Sequence, residues 1–359
     1  MLALAGYPLN IRCHFLDRDP GAPASQVAPI MPGALDDPQR IADLARASDI
    51  LTFDWENVPA ASLRRASASI RQKAKPRAQV PIRPPLRALS ISQDRLLEKR
   101  LFTGLGIPVA PHARIDDFGD LVKAARSIGD QGILKTRRLG YDGKGQIRIR
   151  GLSELRPAYD QLAGVPLIYE RLVPFSHEVS LVAARSTSGQ IRLYPLTRNT
   201  HRDGILHLSI APHLEPAVDR RAGNYMRRVL QALRYTGVLA IEFFVAQGRL
   251  IANEMAPRVH NSGHWTIEGC PSSQFENHLR AICGLPLGST RPLGHCAMIN
   301  FVGSLPSREA LLAIDGLSFH DYGKQPRPGR KLGHCTILAP TVSARDRALR
   351  QALKLARMG

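Results

Sequence analysis

The chain is short of acids, of aromatic rings and of paired cysteines, and it has no long apolar run. Its five cysteines (Cys13, Cys270, Cys283, Cys296 and Cys335) are an odd, scattered set with no Cys-x-x-Cys pair, so a disulfide framework is not expected. The dipeptides Cys13-His14, His295-Cys296 and His334-Cys335 lack zinc-site spacing. Free, buried thiols in a reducing cytoplasm are the expectation. The longest apolar stretches are of strand length, such as Val238–Val245, far below the ~20 residues of a membrane helix. The opening Met1–Gly6 is apolar but has neither a charged leader region nor a cleavage site, which argues against a signal peptide.

The shortage of acids leaves 49 Lys and Arg against 30 Asp and Glu, a net charge of +19. Such a balance raises nucleic-acid binding as a reading. The densest basic region, Arg64 to Arg100, has eleven basic residues against Asp94 and Glu98 alone, but it is threaded with four prolines and contains no aromatic residue. It therefore offers bases no stacking platform. Phosphorylated substrates and an arginine-rich proteome account better for the charge, and neither nucleic acid nor membrane is expected as a partner. What is present is globular: 44% hydrophobic residues over 359 positions, enough for a core and two or three domains.

The first part reads as α/β. Asn10–Leu16 is expected to be a strand ending in Asp17, Pro38–Ala47 a helix, and Ile50–Phe53 a short strand running into Asp54-Trp55-Glu56-Asn57. Such strand ends are where open α/β sheets place ligands. Lys73–Pro85 is linker-like, and Ser92–Leu105 is expected as one helix capped by Ser92. From Gly132 to Asp203 the pattern is mostly strands and turns: Gly132–Thr136, Gln146–Arg150, Pro166–Leu172, then a hairpin Glu178–Arg185/Gln190–Leu196 across Ser188-Gly189. Helices follow at Arg221–Leu233, Ser273–Cys283 and Ala344–Arg357, with strands at Ala297–Val302 and Cys335–Leu338.

The chemistry concentrates between Gly237 and Trp265. Gly237–Val245 is an apolar strand interrupted by Glu242; Ile251–Trp265 holds Asn253, Glu254, Arg258, His260, Asn261, Ser262 and His264. Gln247-Gly248 is a turn signal. If the hairpin closes through Gln247, Gly248 and Arg249, Glu242 lies opposite Glu254 on one face. Opposed acids point to a bound cation, and oxygen ligands suit Mg²⁺. Two alternatives stay open: a buried acid paired with Arg249 or Arg258, or a one-residue register change that separates the acids. Upstream, Gly140-Tyr141-Asp142-Gly143-Lys144-Gly145-Gln146 has three glycines between two strands, with Lys135 just before it. Glycine lets backbone N–H groups approach phosphate oxygens, although a glycine-rich surface hairpin has the same pattern. This is neither a Walker A loop nor a dinucleotide fingerprint. Pro166–Val173 ends an apolar strand at Glu170 and Arg171, and Glu178 follows.

The order of these pieces, a lysine strand, a Gly-rich loop, an acid-bearing strand edge and a carboxylate hairpin, resembles the nucleotide site of ATP-grasp enzymes. The segments Gly140–Gln146, His201–Leu206, Ala256–Thr266 and Arg327–His334 resemble, more narrowly, the N5-carboxyaminoimidazole ribonucleotide synthetase family, along almost the whole chain. That resemblance implies a mixed α/β and α+β chain in three parts: an open α/β pre-ATP-grasp domain over 1–90, an ATP-grasp domain over 91–285 with a lid at about 115–195, and a small C-terminal domain over 286–359. It implies a cytoplasmic homodimer that uses ATP, Mg²⁺ (Mn²⁺ being the alternative ion) and bicarbonate to carboxylate 5-aminoimidazole ribonucleotide in purine biosynthesis. A functional link to the mutase that consumes the product is also implied.

Carried over residue by residue, Arg95 and Lys135 would contact ATP phosphates under the loop of Gly140, Tyr141, Asp142, Gly143, Lys144, Gly145 and Gln146. Glu170, Arg171, Leu172 and Val173 would line the adenine, with Glu170 and the Val173 backbone holding it. Glu178 would hold the ribose, and His201 lies in the same site. Glu242 and Glu254 match metal ligands, with Asn253 beside them. Arg258, His260, Asn261 and Ser262 would form the bicarbonate pocket, where a guanidinium suits a planar oxyanion. Tyr141, Asp142, Arg330 and Lys331 would face the aminoimidazole ribonucleotide, and Glu56 and Asn57 would meet it from the first domain.

One departure from the family is expected to matter. Family members open with a strand and a Gly-Gln-Leu-Gly-Arg-Met turn, and Met1 matches the methionine of that turn. The strand and glycines are expected to be absent, weakening an anion site and leaving a sheet edge unpaired. A misassigned start is preferred over a true truncation. Two rival functions are an ATP-grasp carboxylate–amine ligase for another substrate and a catalytically weak ATP-binding paralogue.

Overall fold

In a computed structural model the chain is described over residues 1–73, 80–140 and 144–356. A large antiparallel sheet runs through it. Its strands, in spatial order, are Arg249–Ala256, Gly237–Ala246, His177–Arg185, Thr197–Arg202, Ile205–Ala211, His295–Val302, Lys331–Ala339 and Leu317–Asp321, and Ile191–Leu193 pairs beside His177–Arg185. Both faces are covered. Leu239, Ile241, Phe243 and Val245 pack against the helices Arg95–Gly104 and Pro216–Ala232. Their alternates Val238 and Ala240 pack with Leu279 and Ile282 of the helix Gln274–Cys283. Side chains alternate along a strand, so Glu242 shares the face of Val238 and Ala240. That face turns from apolar to polar at Glu242, and the candidate site begins there.

A second sheet has the order His112–Ile115, Leu167–Arg171, Gly132–Thr136, Gln146–Ile149 and packs on helices Phe118–Ile128 and Leu155–Leu162. Leu155–Leu162 lies in the stretch from Gly132 to Asp203 expected to be mostly strands and turns, and Phe118–Ile128 lies just before that stretch. Their buried faces combine Leu121 and Leu155 with the small residues Ala124, Ala125 and Ala158. This sheet ends at Arg171, whereas the expected lid runs to about 195. His177–Arg185 and Ile191–Leu193 hydrogen-bond into the large sheet instead.

The first part is thinner than expected. The strand Phe15–Asp17 pairs in parallel with Ile30–Pro32, and Ile50–Phe53 reduces to a parallel bridge from Leu51 to Ile82. Residues 10–14 form no strand because, among the described residues, they have no ladder partner. A cavity of about 690 Å³ lies between these two edges, lined by Phe15, Leu16, Leu51 and Phe53 among others. All five cysteines are free thiols.

The expected helix Ser92–Leu105 is two helices, Leu86–Ser92 and Arg95–Gly104. Ser92 does not cap the second one: its Oγ donates back to the Leu89 carbonyl at 3.0 Å. The cap is Asp94, whose carboxylate accepts from the Leu96 and Leu97 amides. Pro216–Ala232 starts earlier than the expected Arg221, with proline in the first turn where its missing N–H costs nothing. The last helix, Val342–Leu355, is capped by Thr341. Among the described residues no helix is long and apolar enough to cross a membrane.

Candidate active site

The hairpin closes on Gln247 and Gly248, both left-handed (φ 49° and 70°), with Ala246 facing Arg249. The expected three-residue closure is thus corrected to two. A two-residue turn alone would set Glu242 against Asn253. A bulge at Asn253 adds one residue, so Glu242 faces Glu254 after all while Phe243 faces Ala252. The register runs on across the sheet: Glu242 faces Ser180, and Ser180 faces Thr197. Partners and alternates share a face. Glu178, Ser180, Asn199, His201, Glu242 and Glu254 therefore form one polar floor.

The two acids behave oppositely. Burial, then the charge of Glu254, pushes the Glu242 carboxyl up. Burial opposes ionisation of Glu254 too, but Arg95 and Lys135 outweigh it and hold the carboxyl down. Arg95 Nη1 lies 3.2 Å from Glu254 Oε2, so the acid's basic partner is neither Arg249 nor Arg258. Two opposed carboxylates, with an amide side chain at the adjoining bulge, fit a hard divalent cation that takes oxygen ligands. Such an ion relieves the repulsion that raises Glu242.

Across from this floor stands a buried ion cluster. Glu170 Oε2 lies 3.0 Å from Lys135 Nζ and 3.2 Å from Lys99 Nζ. Burial resists ionisation, yet the two ammonium groups draw the Glu170 carboxyl down to about 2. Its second oxygen, Oε1, is buried without a hydrogen-bond partner. A buried, unused acceptor on an ionised carboxylate is a place for a ligand donor. Arg171 points the other way, as the next residue of a strand must, and lies along Gly129. Leu172 and Val173 leave the strand half-buried, and the Leu172 amide donates to the Gln131 carbonyl at 3.0 Å.

Lys99 was not foreseen, although it lies one helical turn after Arg95 on the same face. Asp94 was missed as well. It is buried, held by Arg137 at 2.6 Å and Arg138 at 3.3 Å, and so ties the start of this helix to the end of the lysine strand. Glu98, between Arg95 and Lys99, accepts from the Met255 amide at 2.7 Å. Burial first, and Glu254 second, push its carboxyl up to about 8. Of the glycine loop, Tyr141, Asp142 and Gly143 lie outside the described residues. Gly140 abuts Arg95: a Cβ there would meet Nη2 at 2.9 Å. The Gly145 carbonyl accepts from the Thr136 amide at 2.8 Å, and Gln146 pairs with Lys135. Lys144 is exposed beside them.

A buried relay joins the floor to the turn Asn261–Gly263. Ser209 Oγ donates to Asn199 Oδ1 (2.8 Å), Asn199 Nδ2 to Ser180 Oγ (2.9 Å), and Ser180 Oγ to Ser262 Oγ (2.7 Å). Ser262 Oγ lies 2.8 Å from His260 Nδ1, which also faces the Ser262 amide at 3.4 Å. Nδ1 is therefore the acceptor. Nε2 carries the proton and faces Glu242 Oε1 at 3.5 Å. Burial, then Arg258 and Lys331, hold His260 well below its ordinary value, so it is neutral. Asn261 exchanges two hydrogen bonds with Asn300 (3.0 and 2.7 Å). Arg258 Nη2 lies 2.6 Å from Glu56 Oε2, which brings the first domain to this turn, with Asn57 half-buried alongside. Gln93 pins the same segment by donating to the Glu56 and Val58 carbonyls.

His201 Nδ1 is hydrogen-bonded to Glu178 Oε2. Burial works against its protonation, but Glu178 raises it. The charge of Lys331 is felt by Glu242 and His260, which puts it at the same end of the site. Arg330 lies on the preceding turn and donates to the Gln325 carbonyl at 3.2 Å. His264 joins a histidine cluster rather than the carboxylates: its ring lies 5.2 Å from His334, which stacks on His320 at 4.4 Å.

A small sheet bearing Lys135 and Glu170, set against a large sheet bearing Glu242 and Glu254, defines an ATP-binding protein of the ATP-grasp class. Residues 100–275 match the ATP-grasp domain, 1–93 the ribonucleotide synthetase preATP-grasp domain, and 296–348 the phosphoribosylaminoimidazole carboxylase C-terminal domain. The chain is 46% identical to the N5-carboxyaminoimidazole ribonucleotide synthase of Pseudomonas aeruginosa over 98% of its own length and 93% of that protein. It belongs to the N5-carboxyaminoimidazole ribonucleotide synthase family. The crystal structure of the synthetase from Thermus thermophilus is similar at a TM-score of 0.92 and 44% identity, covering 99% of this chain and 95% of that one. An Aspergillus clavatus synthase solved with ADP and 5-aminoimidazole ribonucleotide has a TM-score of 0.90 and 27% identity, covering 100% of this chain and 96% of that one.

Proposed function

We propose that the chain carboxylates the exocyclic amine of 5-aminoimidazole ribonucleotide, consuming ATP and bicarbonate and releasing ADP and phosphate. The observation that carries this reading is one juxtaposition. The Glu242/Glu254 pair, the His260–Ser262 turn and the Arg258–Glu56 contact to the first domain meet at the end of one sheet face. The rival ligase reading lacks a reason for that contact.

Bicarbonate is a poor electrophile. One of its oxygens takes the terminal phosphoryl group of ATP, and the ADP oxygen leaves with the bonding electrons. The amine then attacks the activated carbon, or the CO₂ it liberates; the C–O bond to phosphate breaks, and the amine gives up one proton. The residues do this mainly by placing charge and excluding water. Arg95 and Lys135 meet the phosphates beneath the Gly140–Gln146 loop. Glu170 Oε1 accepts from the adenine amine, the Val173 backbone meets the ring edge, and Glu178 takes the ribose hydroxyls. Glu242 and Glu254 would hold a divalent ion, Mg²⁺ with Mn²⁺ as the alternative, which supplies charge neutralisation between the phosphates and the acids. Arg258, His260, Asn261 and Ser262 surround the bicarbonate; Lys331, Arg330, Glu56 and Asn57 face the ribonucleotide. A three-part division at 1–90, 91–285 and 286–359 goes with this reading, supported by the three matched segments. A cytoplasmic homodimer linked to the mutase that uses its product is the further proposal that family membership supports.

The test is ADP release by the purified chain with ATP, Mg²⁺ and bicarbonate, with and without 5-aminoimidazole ribonucleotide. Strong dependence on the ribonucleotide is expected. ADP release that ignores it would favour the ligase or the weak paralogue. Lys331→Ala separates the two ends of the site. Losing a charged contact of about 1.5–3 kcal/mol should raise KM for the ribonucleotide roughly ten- to hundredfold, leaving KM for ATP nearly unchanged. An equal effect on both would remove Lys331 from the substrate side.

A further inference from the structure

The opposite face of the same strand carries a cluster that the proposed reaction does not use. His177 opens the strand His177–Arg185, next to Glu178 but on the other face. His213 and Glu215 come from the turn before the helix Pro216–Ala232, and the His213 amide is fixed to the Leu196 carbonyl at 2.8 Å. Both imidazoles converge on a single oxygen. Glu215 Oε1 lies 2.8 Å from His213 Nε2 and 3.0 Å from His177 Nε2. The side chains are mostly buried, at 14%, 16% and 35% exposure for His177, His213 and Glu215.

The protons do not close this cluster. Ser176 Oγ donates its one hydrogen to the Val245 carbonyl at 2.9 Å, so at 2.9 Å from His177 Nδ1 it accepts, and Nδ1 carries the ring proton. Nε2 is then a bare lone pair aimed at a carboxylate oxygen. It is buried and makes no hydrogen bond despite the short approach. Two acceptors facing each other at that distance need a cation between or beside them. An imidazole held through its other nitrogen by a hydroxyl is also how metal-ligating histidines are oriented. The ligand atoms of all three residues lie within 4.8 Å of one another. Zinc bonds of 2.0–2.1 Å to nitrogen and oxygen in a tetrahedron put ligand atoms about 3.3 Å apart, so a small opening of the cluster seats an ion.

We propose that His177, His213 and Glu215 form a second metal site, for a divalent transition ion of the zinc type, distinct from the carboxylate hairpin. Two imidazoles and one carboxylate select such ions over Mg²⁺. Bound there, the ion ties the first residue of an inner strand to the start of the helix that covers it.

The probe is Zn²⁺ alone, added to the full chain after chelator treatment and without nucleotide, read by calorimetry; Co²⁺ replaces it for an absorption spectrum. One equivalent should bind per chain with micromolar or tighter Kd and raise Tm. His213→Gln and Glu215→Gln should each weaken binding tenfold or more and lose the tetrahedral Co²⁺ bands, while ribonucleotide-dependent ADP release stays intact and reports a folded protein. Glu254→Gln should leave Zn²⁺ binding unchanged. Absence of binding, binding indifferent to His213→Gln and Glu215→Gln, or binding lost with Glu254→Gln would each overturn the proposal. The first outcome would mean that a proton on His177 fills the gap.

Discussion

Replacing Glu254 with glutamine should slow ATP cleavage by on the order of 10³-fold with no loss of fold. Glu254 is the acid that stays ionised: Arg95 and Lys135 overcome its burial, whereas Glu242 opposite is raised. In the proposed reading the ionised member of the pair would contribute most to holding a cation against the ATP phosphates, and glutamine keeps its shape but not its charge. The fold has reason to tolerate the change. Glu254 is half-buried, and its charge is one cause of the raised carboxyl of buried Glu98, so removing it relieves a repulsion. Arg95 keeps Glu170 as a nearby counter-charge. The measurement is Mg²⁺-dependent ADP release beside thermal unfolding. Near-normal turnover would remove Glu254 from the metal site, and an unfolded variant would show that the Arg95 contact is structural first. Glu242→Gln makes the natural comparison. A carboxyl that is already raised has less charge to lose, and its variant should retain more activity than Glu254→Gln.

The opposed acids were legible because a strand alternates with period two and Gln247-Gly248 marks the turn. The pairing nevertheless came out right through two offsetting differences: a turn one residue shorter than expected and a bulge at Asn253. Nothing local announces a bulge. It follows from which side chains the sheet must bury, Phe243 and Ala252 on the apolar face and the acids on the other. The relay through Ser180, Asn199 and Ser209 is not evident: Ser180 and Ser209 are polar residues inside largely apolar strands, but Asn199 lies in the wholly polar strand Thr197–Arg202, where nothing sets it apart. What the sequence does not show is that these three neighbouring strands place the residues in one row with Ser262, which comes from a turn much later in the chain. Lys99 was hidden for another reason. The sequence points to a helix start at Ser92, and the anchor at Asp94 that aims Arg95 and Lys99 together depends on Arg137 and Arg138, which lie on the far side of the lysine strand in sequence. The glycine loop was legible as a motif, and its central residues Tyr141 and Asp142 lie outside the described part of the chain.

Glu170→Leu is expected to destabilise the protein by about 3–5 kcal/mol, the largest stability effect of any single change at the site. The reason is the environment rather than the number of contacts. Glu170, Lys135 and Lys99 are all buried, and one carboxylate serves two ammonium groups. Without it, two like charges remain in a low-dielectric pocket without the carboxylate that both contact, and each must be neutralised or the pocket opened. The depressed carboxyl gives the same scale: a fall from 4.5 to about 2 corresponds to roughly 3 kcal/mol of linkage. The sign follows from the depression. The contribution is fully present above about pH 4.5, the unfolded value, and is lost as the pH drops through the folded value near 2. At neutral pH, denaturant midpoints of the wild-type, Glu170→Leu, Lys99→Met and doubly substituted chains complete the test. The double variant should recover part of the loss, because one of the two stranded ammonium groups is gone. If instead the two losses add, the lysines do not act through Glu170. ATP affinity gives an independent reading: Glu170→Leu also removes Oε1, the one buried acceptor in the cluster without a partner. Thermal stabilisation by ADP should therefore disappear in Glu170→Leu and persist in Lys99→Met, separating the carboxylate's contact with nucleotide from its role in holding the lysines.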